Sequence, residues 1–131
     1  MNAMGSNLEE LADLFSSIKK FKNKVGICID TQHAFGSGID WRTKKNVNDF
    51  VQQFDKLIGL QYLIVFQVND SKVPFNSRKD RHEHIGKGEI GSAAFGYLLN
   101  HPKLKNLDFI LETEFDGRAQ DVATLKRLRK K

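Results

Sequence analysis

The segment FQVNDSKVPFNSRKDRHEHIGKG, residues 66–88, begins at the end of a short apolar run and shows neither helical nor strand periodicity. A connection of this length in a compact domain is usually functional or disordered. Its side chains include many that hold metals or phosphates: Asn69, Asp70, Lys72, Arg78, Asp80, Arg81, His82 and His84. Asp80 and His82 flank one arginine, so a carboxylate and an imidazole can reach one cation from a single extended turn. Three glycines between residues 86 and 91 allow close backbone approach at the entry to the next helix.

The composition is that of one small soluble domain. The 131 residues are 40% hydrophobic and 28% charged, with a net charge of +5 that favours anionic partners. Five basic residues lie in 125–131, and they indicate either a solvated helix end or a nucleic-acid tail. The single cysteine excludes a disulfide within the chain. No signal peptide or membrane span is visible, so we expect a cytoplasmic protein, or a nuclear one in a eukaryote.

The spacing of apolar residues predicts an α/β fold in the order α-β-α-β-α-β-α. Helices are predicted over residues 6–20, 46–58, 91–99 and 119–129, and strands over 25–30, 62–67 and 108–112. Residues 31–42 are predicted to be a glycine-rich loop. Strands without alternation, separated by helices, indicate three parallel strands joined by right-handed crossovers. Three strands cannot close a barrel, so we expect two open edges.

Polar residues terminate all three predicted strands: Asp30, Gln67 and Glu112. Parallel strands end on one edge, which is where ligand and catalytic groups collect in α/β folds. The following loops carry His33, Asp80 and His82 towards the same edge. Imidazoles and carboxylates are ligands of catalytic zinc, and metals held close together clamp a phosphate and activate a water molecule. The residues therefore favour a metal-dependent hydrolase that acts on a phosphodiester.

Each of these signals also has a simpler interpretation. An isolated Asp-x-His in a polar loop is usually solvated, and Asp30 followed by His33 is compatible with an ordinary turn. Glu112 is close enough in sequence to pair with a basic residue of the last helix. The shared position at strand ends is what raises the functional interpretation above these alternatives.

Four segments of the chain resemble the endonuclease IV family of apurinic/apyrimidinic endonucleases. They are VGICIDTQHAFGSGID (25–40), FDKLIGLQYL (54–63), VNDSKVPFNSRKDRHEHIGKGEIG (68–91) and LDFILETE (107–114). They occur in the family's order and spacing across nearly the whole chain. The resemblance covers only the last three strands of the family's TIM barrel and the helices around them. It implies that residues 1–131 form a partial TIM barrel, the carboxy-terminal half.

The resemblance further implies a trinuclear zinc site and cleavage of DNA on the 5′ side of an abasic site, as part of base-excision repair. By motif, Asp30 and Glu112 bind one zinc and are the catalytic candidates. A second, complete zinc set comprises His33, Asp80 and His82. The positively charged side chains in the loop that approaches DNA are Lys72, Arg78 and Arg81, and they are candidate phosphate contacts.

The chain also departs from the family pattern. Gln67 occupies the position of a zinc-binding histidine, and an amide oxygen is a poor zinc ligand, so this metal position is degenerate. Two further histidines and a bridging glutamate come from earlier strands of the family barrel. One hypothesis is therefore a truncated or degenerate AP endonuclease with impaired catalysis. A second is one part of an active enzyme whose amino-terminal half-barrel is supplied separately.

A third hypothesis is a non-catalytic module that binds DNA or a protein partner. Sugar isomerases of the same superfamily are less compatible, because they lack the Asp-Arg-His segment. Open strand edges and uncovered apolar surface further predict self-association.

Overall fold

The computed structural model describes residues 4–18 and 25–130. The helices are α1 (Met4–Ser17), α2 (Thr31–Gly36), α3 (Lys44–Leu57), α4 (Ser92–Asn100) and α5 (Arg118–Leu128). The strands are β1 (Ile27–Asp30), β2 (Leu63–Val68), β3 (Asp70–Ser71), β4 (His82–Glu83) and β5 (Asp108–Leu111). None of the described helices is both long and apolar enough to cross a membrane.

The main sheet has three strands in the order β1-β2-β5, and both pairings are parallel. In the register, Asp30 of β1 lies beside Gln67 of β2, which lies beside Ile110 of β5. Short apolar strands joined through helices produce this arrangement, because a parallel crossover requires a connecting element. The expected α/β fold with three parallel strands is confirmed.

One face of the sheet packs against the helices, and aromatic side chains dominate this core. Phe66 of β2 stacks on Phe109 of β5 and meets Trp41 and Phe50 edge-on or tilted. Helix α3 contributes apolar side chains at helical spacing, and Phe50 and Phe54 are fully buried. The core therefore holds β2 rigidly at the centre of the sheet.

The opposite face of the sheet is largely uncovered in the described part of the chain. Ile110, which shares a face with Asp30 and Gln67, is 51% exposed, and Ile64, where the β1–β2 register shifts, is 50% exposed. Strands β1 and β5 each have one described neighbour only. Because parallel sheets are normally covered on both faces, this face is suited to further protein contacts.

Two local predictions differ from the structure, and a third falls partly outside the described residues. The segment expected to be a loop after β1 begins with helix α2, because the Asp30 side chain accepts hydrogen bonds from the backbone N–H groups of Gln32 and His33. The described residues thus contain five α-helices rather than the four expected. The long connection contains a two-stranded antiparallel ladder, in which Asp70 pairs with Glu83 and Ser71 with His82. The end predicted for the first helix falls partly on residues 19–24, which lie outside the described residues.

Candidate metal centre

Asp30 lies at the carboxyl end of β1, and its two carboxylate oxygens have different partners. Oδ1 accepts hydrogen bonds from Gln32 N–H at 2.9 Å and His33 N–H at 3.1 Å, which caps α2. Oδ2 lies 3.2 Å from Nε2 of His82. The cap fixes the orientation of the carboxylate and leaves Oδ2 directed at the edge of the sheet.

Asn69 is a fully buried residue just beyond β2 that joins the ends of all three strands. Its backbone exchanges two hydrogen bonds with the Thr31 hydroxyl, at 2.7 and 2.9 Å. Its side-chain oxygen accepts from the Glu112 N–H at 3.0 Å, and its amide nitrogen lies 3.5 Å from Asp30 Oδ1. Asn69 therefore sets the spacing between Asp30 and Glu112. The sequence analysis includes Asn69 among the residues that could bind a metal or a phosphate. Its position directly after β2 is the sequence feature that indicates a role at the carboxyl edge of the sheet.

His82 in β4 presents its two ring nitrogens to different surroundings. Nδ1 lies 3.2 Å from the backbone carbonyl of Glu112. A carbonyl only accepts, so Nδ1 carries the hydrogen, and in the neutral ring Nε2 carries the lone pair. Nε2 is buried and makes no hydrogen bond within the described residues, although Asp30 Oδ2 and Asp80 Oδ1 each lie 3.2 Å from it.

A lone pair facing two carboxylates is unfavourable unless a proton or a metal cation lies between them. Asp30, His82 and Glu112 offer ligand atoms that all lie within 4.8 Å of one another, and no other such group occurs among the described residues. One imidazole nitrogen and two carboxylate oxygens match the ligands of catalytic zinc, and three protein ligands leave a position open. The residues present therefore fit a zinc ion.

The geometry groups the expected ligands differently from the sequence analysis. His82 joins Asp30 and Glu112, and Asp80 contacts the same imidazole nitrogen. His33 is outside this group, because it is the third residue of α2 and its exposed side chain lines a 230 Å³ cavity with residues of α1. Zinc binding by His33, Asp80 and His82 together stays a prediction.

Gln67 and the three predicted phosphate contacts lie at the same end of the sheet or in the loop above it. Gln67 is half-buried beside Asp30 in the sheet register. Arg78 and Arg81 are exposed, and Arg78 adopts a positive φ of 66° while its N–H donates to the Gly36 carbonyl. Lys72 is also exposed and lies 3.8 Å from Glu114. A residue with a side chain seldom adopts positive φ, so the loop conformation is held by its contacts with α2.

Cys28 lies two residues before Asp30 on the uncovered face. Partial burial raises the pKa of its thiol, and the nearby Asp30 and Glu112 carboxylates raise it further, against a hydrogen bond from the Gln67 backbone that lowers it. The thiol therefore stays protonated near neutral pH, and a protonated thiol is a poor metal ligand.

A family model described as "Xylose isomerase-like TIM barrel" matches residues 1–131, and the chain belongs to this family. Within it, the chain is 43% identical over 130 residues to a probable endonuclease 4 from Halothermothrix orenii and 42% identical over 125 residues to one from Alkaliphilus oremlandii. These alignments cover 98% and 94% of the chain. The resemblance to endonuclease IV is confirmed.

The crystal structure of endonuclease IV from Thermus thermophilus superimposes with a TM-score of 0.73 at 28% identity, over 92% of this chain and 43% of that one. The chain likewise spans 46% and 43% of the two curated relatives, which is less than half their length. The three parallel strands therefore correspond to one part of a TIM barrel.

Proposed function

We propose that this chain is the carboxy-terminal half-barrel of a zinc-dependent apurinic/apyrimidinic endonuclease of base-excision repair, with impaired catalysis as an isolated chain. The observation that carries the proposal is the buried, unbonded Nε2 of His82 facing the Asp30 carboxylate, with Glu112 in the same group. The relatives named endonuclease 4 support DNA as the substrate class. The protein would then act where DNA is, in a bacterial cytoplasm or a eukaryotic nucleus.

Asp30 Oδ2, His82 Nε2 and the Glu112 carboxylate are the atoms that would hold the zinc. A zinc ion held there would supply Lewis-acid chemistry towards a phosphodiester. The chain's own residues orient the ligands: helix α2 fixes Asp30, the Glu112 carbonyl fixes the His82 ring, and Asn69 fixes the Glu112 backbone. Such supporting contacts typically change metal affinity by about 10–100-fold.

The positive side chains of residues 72–81 would hold the DNA backbone above this group. Lys72, Arg78 and Arg81 are exposed on the loop that carries Asp80 into contact with His82. Arginine and lysine contacts with phosphates position a duplex without reading its sequence. Incision is expected to be slow, because Gln67 provides only a neutral amide beside Asp30 at the position where the family resemblance implies a histidine ligand.

Zinc content after dialysis tests the proposed centre. We expect about one zinc per chain, a large loss in His82→Ala, and no loss in His101→Ala, whose imidazole instead contacts Asn48. His33→Ala separates the two candidate ligand sets, because zinc held by Asp30, His82 and Glu112 persists in this variant. Equal zinc in the wild-type chain and in His82→Ala would contradict the proposal.

Incision of a duplex with an abasic-site analogue tests the activity itself. We expect slow cleavage that requires zinc and is lost in Glu112→Gln. Incision at the rate of a full-length endonuclease IV measured alongside would contradict the proposed impairment. Binding of zinc without detectable incision would leave a metal-binding half-barrel that needs the remaining strands.

A second candidate function, DNA binding without catalysis, is favoured by a basic groove at the other end of the sheet. The groove has a volume of about 690 Å³, and its charged lining residues are Lys105, Lys126, Arg129 and Lys130. No described ion pair neutralises these four side chains. The groove lies beside the last turn of α5 and the turn before β5. It is therefore remote from the carboxyl ends of the strands, where Asp30, His82 and Glu112 form what we call the metal group.

Salt-dependent DNA affinity in EDTA tests the second candidate. We expect the double variant Lys126→Gln/Arg129→Gln to weaken binding and reduce the salt dependence. The matched control Lys56→Gln/Lys87→Gln removes two exposed charges elsewhere and should have a smaller effect. Equal losses in the two double variants would show that only the overall charge matters.

A further inference from the structure

We propose that Asp121 is a positioning residue that holds His82 and Glu112 in the orientation required by the metal group. This inference rests on the proposed metal site. Asp121 lies in the first turn of α5, far along the chain from His82, and its side chain is 2% exposed. A buried carboxylate is costly unless hydrogen-bond donors surround it, so its partners show what it organises.

The Asp121 carboxylate receives three hydrogen bonds from two segments of chain. Oδ2 accepts from the Thr113 hydroxyl at 2.6 Å and lies 2.6 Å from Nδ1 of His84. Oδ1 accepts from the Ile85 N–H at 2.9 Å. Thr113 directly follows Glu112, and His84 is two residues beyond His82. One carboxylate thus joins the backbones that carry two of the three proposed ligands.

The same two segments meet again at the metal group. There, the Glu112 carbonyl lies 3.2 Å from His82 Nδ1 and so determines that Nε2 faces Asp30 with its lone pair. This contact requires the backbone at His82 and the backbone at Glu112 to stay at a fixed distance from each other. The hydrogen bonds to Asp121 fix that separation at the neighbouring residues Thr113, His84 and Ile85.

The residues at the start of α5 stabilise the contacts of Asp121 with Thr113 and His84. Gly117 precedes the helix at φ 97°, and a Cβ atom there would lie 2.8 Å from Cε1 of His84, so glycine allows the ring to approach. The guanidinium of Arg118 donates to the Thr113 carbonyl. The helix N-terminus also favours a negative charge in its first turn. The contacts that Thr113 and His84 make with Asp121 therefore depend on the position of the whole helix α5.

The test compares Asp121→Ala and Asp121→Asn with Gln120→Ala, an exposed neighbour in the same turn. In the metal-free chain, imidazole nitrogen NMR should show His82 protonated at Nδ1 in the wild type and in Gln120→Ala. We expect a mixture of tautomers in Asp121→Ala. Zinc affinity, measured by competition with a chelator, should fall about 10–100-fold in Asp121→Ala and less in Asp121→Asn.

Thr113→Val removes a single hydrogen bond to Asp121 with little change of shape. If Asp121→Ala does not fold, this variant tests whether the Asp121 contacts position His82. We expect an intermediate loss of zinc affinity and a partial change of the His82 spectrum. Unchanged His82 spectra and zinc affinity in folded Asp121→Asn and Thr113→Val would overturn the inference. If the wild type binds no zinc, the proposed function fails, whereas the metal-free spectra still decide whether Asp121 positions His82.

Discussion

At the scale of single residues, Asp70 shows how a carboxylate in a ligand-rich loop can be structural. It is fully buried, and its oxygens accept hydrogen bonds from the backbone N–H groups of Ser71, Gly86, Ile90 and Gly91 at 2.8 to 3.3 Å. These bonds fold residues 84–91 over β3. The sequence grouped Asp70 with possible metal ligands, because composition alone does not distinguish a carboxylate bound by peptide N–H groups from one bound by a cation.

We expect Asp70→Asn to destabilise the fold by about 2–4 kcal/mol, because an amide NH₂ group would face backbone donors that a carboxylate satisfies. Urea denaturation measures the change in the free energy of unfolding. Asp116→Asn, at an exposed position, is the matched control and should change it by less than about 0.5 kcal/mol. Equal effects of the two substitutions would show that Asp70 does not organise the loop.

Cys28 reports on the charge of the proposed metal group. Its thiol pKa is raised by partial burial and by Asp30 and Glu112, so alkylation should reach half its maximal rate above the ordinary thiol pKa of about 8.5. Because the folded pKa is the higher one, the protonated thiol's contribution to stability is lost as the pH rises through the unfolded and then the folded value. Asp30→Asn removes one negative neighbour and should shift the alkylation profile to lower pH. A profile that matches a short cysteine peptide would contradict this.

At the scale of elements, Asp30 couples helix α2 to the metal group. Its Oδ1 caps the helix while Oδ2 faces His82, so one side chain sets both the direction of α2 and a ligand position. Hydrophobic periodicity does not reveal α2, because six residues are too few to show a helical repeat. The Asp30 cap was the available signal, since aspartate before a short polar-apolar segment favours a helix start.

We expect Asp30→Asn to separate these two roles. Asparagine caps helices about as well as aspartate, so stability should change by less than about 0.5 kcal/mol while zinc affinity falls strongly. Asp30→Ala should lose zinc and a further ~1 kcal/mol of stability, because the cap is also removed. Thermal unfolding and zinc competition measure the two effects, and a parallel loss of stability in both variants would contradict the separation.

At the scale of the whole molecule, the uncovered face of the sheet is the surface best suited to contacts with another protein chain or segment. The half-exposed Ile110 shares this face with Asp30 and Gln67, next to the open edge of β5. The chain spans less than half of its curated relatives, so in them further polypeptide accompanies the matching region. Apolar surface on an open parallel sheet favours contacts of this kind.

We expect the isolated chain to self-associate at roughly micromolar to millimolar concentration through this face. Analytical ultracentrifugation should show that Ile110→Gln weakens association. Leu14→Gln, which changes an exposed apolar residue of α1, is the matched control and should leave association unchanged. A concentration-independent monomer would remove the prediction.

The sequence by itself determined the parallel three-stranded sheet, the common edge reached by Asp30, Gln67 and Glu112, and the resemblance to endonuclease IV. It did so because strand order and direction follow from local apolar runs and intervening helices, which are encoded within a few residues. Only the tertiary structure brought His82 beside Asp30 and Glu112, two residues that the sequence analysis assigned to a different ligand set. That arrangement depends on the path of a long connection, and buried carboxylates at Asp70 and Asp121 fix this path through hydrogen bonds to residues distant in the sequence.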